Sequence, residues 1–112
     1  YTGLESLAAD GSRTVHRARH KGWIYRDLLA RNVVTGCGST AMASRAALEL
    51  VGGFDPALAA NEDYDLVLRI TRFFEADCVP GPFARYHDGS TTEARVSRHA
   101  GANRASRRIL FA

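Results

Sequence analysis

Apolar residues recur along this chain with two spacings, and each predicts an element. Tyr1 to Leu7 reads as a short strand, closed by a turn at Ala9-Asp10-Gly11. Ser12 to His20 is polar and basic, either an excursion or a second short strand. In "GWIYRDLLARN", Ile24, Leu28 and Leu29 fall at helical spacing, which predicts a short helix ending near Asn32. Val33 and Val34 favour extended chain, the glycines of "TGCGST" interrupt it, and Thr40 to Ala43 is expected to resume as a strand. Ser44 is a natural N-cap for a helix that stops at Gly52-Gly53.

After the loop "DPALAANED", a helix is expected from an Asn61 N-cap to about Phe74. A short strand at Asp77 to Val79, a Pro-Gly-Pro break and a strand at Phe83 to His87 follow. Residues 92–112 are expected to form a basic helical tail interrupted near Gly101. Helices alternating with short strands predict an α/β fold, in which three or four short strands make an incomplete sheet.

The acidic head of the helix at Asn61 poses the sharpest question. Glu62, Asp63 and Asp65 stand within four residues, directly before Leu66 and Val67. Capping is one explanation, since each first-turn carboxylate gains about 0.3–1 kcal/mol from the helix dipole. At 100° per residue, Glu62, Asp65, Arg69 and Arg72 form a polar stripe, with Asp65 and Arg69 spaced as an i,i+4 pair. Leu66, Val67, Ile70 and Phe74 lie opposite, and Asp63 falls among them. An acid on the apolar side of a first turn sits at the edge of the core. There a cleft can open, and a carboxylate can take a proton from a hydroxyl. Capping and base chemistry both remain open on these residues alone.

Charge and composition narrow the rest. The chain of 112 residues is long enough for one small domain with a core. No apolar run approaches the roughly 20 residues of a membrane span. Net charge is +3 and the basic residues are scattered, which argues against a nucleic-acid binder. The strongest basic cluster is the tail, where Arg95, Arg98, Arg104, Arg107 and Arg108 face only Glu93. It reads as a solvated helix rather than a phosphate-binding surface.

Cys37 and Cys78 lack zinc spacing and are expected as reduced thiols. His16 and His20 are four apart, but their surroundings have no helical periodicity and no acidic partner, so a loop is expected there. "TGCGST" is not a P-loop, because the GK[ST] ending is absent. It is either a tight turn between strands or a place where backbone approaches a ligand. His87 closes a strand before a polar loop and is either a surface residue or a metal or phosphate contact. Trp23 and Tyr25 are either core aromatics or a stacking surface for a sugar ring.

Taken in order, "NVVTGCGSTAMASRAALELVGGFDPALAANEDYDLVLRI" and "ARYHDGS" resemble the second, acceptor-side half of the catalytic domain of a family 2 glycosyltransferase. The match runs from Asn32 to Ser90, and the GGFD and EDYDL pair at this separation is its most specific part. The histidine element is weaker, and Arg85-Tyr86-His87 reads as the arginine-x-histidine that the family often has. The resemblance implies a partial GT-A (Rossmann-like) fold over residues 1–91 and a nucleotide-diphospho-sugar donor. It also implies a saccharide or lipid-linked acceptor, and a divalent metal, Mg or Mn. By the ED motif, Asp63 maps onto the base that deprotonates the acceptor in an inverting transfer, with Glu62 orienting the site. Gly36, Gly38, Ser39 and Trp23 are implied at the sugar pocket, and His87 near the diphosphate and metal.

One departure is large. The family's aspartate-x-aspartate metal motif, which precedes this region, is not found before the glycine loop. Asp63 and Asp65 do read D-x-D, but about 200° apart on a helix they cannot share an ion. The chain opens at Tyr1 with Met42 as its sole methionine, and is expected to be part of a longer protein. That protein's N-terminal half would supply the donor site, so the isolated chain is expected to be inactive. The expected location is cytoplasmic, at the inner face of a membrane. A binding-only or degenerate half-domain is the competing expectation.

Overall fold

The structure, a computed structural model, describes residues 1–88 together with Gly101 and Arg104. The predicted helical tail otherwise lies outside the described residues. The elements are β1 (Thr2–Ala8), β2 (Arg13–His16), α1 (Tyr25–Ala30), α2 (Cys37–Thr40), α3 (Arg45–Val51), α4 (Glu62–Thr71) and β3 (Val79–Asp88). The fold is therefore α/β, with a three-stranded mixed sheet in the order β2-β1-β3.

The first two strands form an antiparallel hairpin, Leu4 opposite His16 and Leu7 opposite Arg13. Its turn is set by Gly11 at φ 83° and by Asp10, whose Oδ1 accepts from the Ser12 N–H at 2.8 Å. The third strand runs parallel to β1. A parallel return needs a long crossover, and all four helices lie in it.

The Pro-Gly-Pro segment does not break the last strand in two. Pro80-Gly81-Pro82 is absorbed into β3 as register shifts opposite Thr2, Gly3 and Leu4. Prolines lack the ladder N–H, and an edge strand with a bulge is where they are tolerated. Gly3 permits this crowding: a Cβ there would stand 2.7 Å from the His16 carbonyl oxygen and 2.8 Å from that of Pro80.

The expected strand at Thr40 to Ala43 is also absent. Cys37–Thr40 forms one helical turn instead, and residues 41–44 run as unpaired extended chain. Thr40 holds the turn by donating its hydroxyl to the Thr35 carbonyl at 2.8 Å. α3 follows the sequence closely. Ser44 Oγ accepts from the Ala47 N–H at 3.1 Å, and Gly52 ends the helix at φ 82°. The first and last predicted helices are trimmed to Tyr25–Ala30 and Glu62–Thr71.

α4 is the hub, packing against α1, α2 and α3. The core cluster is Ile24, Leu28, Val34, Cys37 and Leu68. On α4 the buried side chains are Leu66, Leu68 and Thr71. Val67, Ile70 and Phe74, expected to be core, are partly buried and line a groove with Tyr1 and Met42, and Val67 also packs against the core cluster. No helix among the described residues is long and apolar enough to cross a membrane.

Candidate functional site

Asp63 is half-buried at the head of α4 and reaches the glycine turn. Its Oδ2 accepts from the Gly38 N–H at 2.9 Å, across 25 residues of sequence, and its Oδ1 accepts from the Tyr64 N–H at 2.7 Å. The carboxylate thus binds one of the free N–H groups that begin α2. Gly38 makes this approach possible, since a Cβ there would already lie 3.3 Å from Asp63 Oδ2. Gly36 sets up the turn at φ 69°, packed so that a Cβ would meet Leu4 Cδ2 at 3.2 Å.

The three acids at the helix head have separate fates. Glu62 is exposed. Asp65 pairs with Arg69, Nε at 2.9 Å and Nη2 at 2.6 Å from the same oxygen. Arg69 also donates to the carbonyls of Val51 at 2.6 Å and Gly53 at 2.7 Å. The polar stripe therefore binds α4 to the end of α3, which is the physical link between the GGFD turn and the EDYDL head. Asn61 occupies the expected cap position, but in the left-handed region at φ 60° and with no side-chain cap bond to the helix. It is the one non-glycine residue of positive φ among those described.

Beside Asp63 lies a cleft of about 400 Å³, lined by Leu29, Ala30, Arg31, Asn32, Asn61, Asp63 and Tyr64. The Tyr64 hydroxyl donates to the Leu28 carbonyl and joins the two walls, α1 and α4. Asn32 Oδ1 accepts from the Val34 N–H at 3.0 Å, and its amide faces the Cys37 thiol at 3.4 Å. Burial pushes that thiol up to about 11, an effect that Asn32 opposes and the nearby Asp63 charge reinforces. Cys37 is therefore a protonated core group rather than a nucleophile. Arg31, Asn32 and Tyr64 escaped the sequence reading, because nothing in the spacing brings residues 29–32 to residues 61–64.

The other expected site residues do not converge here. Ser39 is exposed on α2, beside Gly38. Trp23 is 62% exposed and so not core, but it does not line the Asp63 cleft. Tyr25 packs against the core cluster. His87 sits on β3 in register with Leu7 and is exposed. Asp65 is held by Arg69, and no three metal-ligating side chains group among the described residues. No chemical step is routed through a metal here. Cys37 and Cys78 are both buried and free, as their spacing led us to expect.

No family model matches the chain, and neither does any curated protein or solved structure.

Proposed function

We propose that this chain is the acceptor-side part of an inverting glycosyltransferase, with Asp63 as the base that deprotonates the acceptor hydroxyl. The observation that supports it most is the position of Asp63: a carboxylate at the core's edge, bordering an open cleft and pinned to the glycine turn. An anchored carboxylate keeps a fixed direction, which general base catalysis requires. Each carboxylate oxygen has a second lone pair beyond the one facing its N–H donor. A donor site from another segment would complete the enzyme, since the nucleotide-binding residues the resemblance calls for are not in this chain.

The test is Asp63→Asn in the longer protein. The amide oxygen can keep the Gly38 N–H, its NH2 then faces the Tyr64 N–H, and the group cannot take a proton. Sugar transfer should fall by at least 100-fold, with the protein still folded and its thermal midpoint lowered less than in Asp63→Ala. Unchanged transfer would remove Asp63 from the chemistry. The isolated chain should transfer no sugar, and measurable turnover by it would overturn the division into halves.

A second reading has its own observation. Both Asp63 oxygens already accept backbone N–H bonds, as a purely structural cap would. Under that reading the chain is a binding module. Asp63→Asn then leaves function intact, while Asp63→Ala loosens α2.

A further inference from the structure

Arg31 and Asp63 both border the same cleft. The chain leaves α1 at Arg31 in an extended conformation, φ -164° and ψ 157°. Its side chain is exposed and forms no ion pair among the described residues. Arg31 borders a space whose remaining polar lining is Asn32, Asn61, Asp63 and Tyr64. Asn61 borders this space in its left-handed conformation.

A cleft of this size lies within the range of small-ligand pockets. Its chemistry is selective. A guanidinium fork matches a carboxylate or phosphate bidentately. Asparagine amides match hydroxyl groups, while Leu29 and Ala30 provide an apolar wall. We infer that the cleft takes an acidic sugar, one bearing a carboxylate or a phosphate, with Arg31 holding the anionic group and Asp63 facing a hydroxyl. This rests on the proposed transfer reaction and names its acceptor class. Arg31 is then a positioning and specificity residue, apart from the proton transfer.

The test is amide chemical-shift titration of the full 112-residue chain with glucuronate, glucose 6-phosphate, neutral glucose and inorganic phosphate. Glucuronate or glucose 6-phosphate should shift residues 29–32 and 61–64 saturably, with neutral glucose at least ten-fold weaker. Arg31→Gln should weaken the acidic sugar ten-fold or more without disturbing other amides, and Arg31→Lys should recover part of the loss. No saturable shift, shifts elsewhere, or equal binding by Arg31→Gln would overturn the proposal. So would inorganic phosphate binding as well as either acidic sugar, since the sugar would then contribute nothing. Binding as described, with no transfer by the longer protein, would keep this site and sink the transferase reading alone.

Discussion

At the scale of single residues, Asp63 combines two roles that substitution can separate. Its contact with the Gly38 N–H resembles an N-cap, and losing such an acceptor costs about 1–2 kcal/mol. Asp63→Ala should lower the urea midpoint accordingly, whereas Asp63→Asn, which keeps one of the two acceptors, should lose about half as much. Equal losses in the two variants would show that charge, and not the acceptor, holds the turn. Cys37 offers a pH test. Its folded thiol lies near 11 against an ordinary value of 9.0. Between these values the unfolded chain has lost the proton and the folded chain keeps it. Stability is therefore whole below pH 9 and falls as pH rises towards 11, by roughly 2–3 kcal/mol. The Tyr1 hydroxyl, also raised mainly by burial, adds a loss of the same sign at higher pH. Denaturant midpoints across that range should drop steeply in the parent and more gently in Cys37→Ala. Parallel curves would assign the drop elsewhere.

At the scale of elements, Arg69 and Gly3 are the critical joints. Arg69 ties Asp65 to the carbonyls that end α3, with its side chain 29% exposed and that of Asp65 13% exposed. Arg69→Met leaves a mostly buried carboxylate and two carbonyls without their donor, a loss of about 2–4 kcal/mol. Arg69→Lys should recover only part of it, because an ammonium cannot span all three acceptors. Midpoints within 0.5 kcal/mol of the parent in Arg69→Met would make the clamp a crystal-like ornament of α4 and not a joint. Gly3 sits where three strands crowd together, and the obstacles to a Cβ are backbone oxygens that cannot swing aside. Gly3→Ala is expected to cost at least 2 kcal/mol, or to abolish the parallel β1–β3 ladder. Amide exchange of β3 reads the outcome directly, and protected β3 amides in Gly3→Ala would contradict it.

At the scale of the whole molecule, a small core supports a three-stranded sheet whose outer strands, among the described residues, are β2 and β3. β3 exposes the apolar side chains of Val79 and Phe83, with Phe83 at 75%. The isolated chain is expected to self-associate through these exposed side chains, and Phe83→Lys to suppress it. Light scattering against concentration measures this, and equal scattering from both chains would place the contact elsewhere.

The sequence alone determined those features that rest on short-range chemistry. The turn after β1 follows from Asp10 and Gly11, α3 from Ser44 and Gly52, and the Asp65–Arg69 pair from helical spacing. The placement of Asp63 at the core's edge was legible for the same reason, because a helix repeats every 3.6 residues. Tertiary structure decided what depends on chain segments meeting. It made the glycine loop a helical turn, because Asp63 from 25 residues away holds its free N–H. It kept Pro-Gly-Pro inside one strand, because Gly3 leaves room for the bulge beside it. It buried Leu68 beside Leu66 and left Val67, Ile70 and Phe74 partly buried along a groove, since α4 packs against three helices at once. And it placed Arg31 and Asp63 on one cleft, a juxtaposition no local pattern encodes, because α1 and α4 touch through Tyr64 and Leu28.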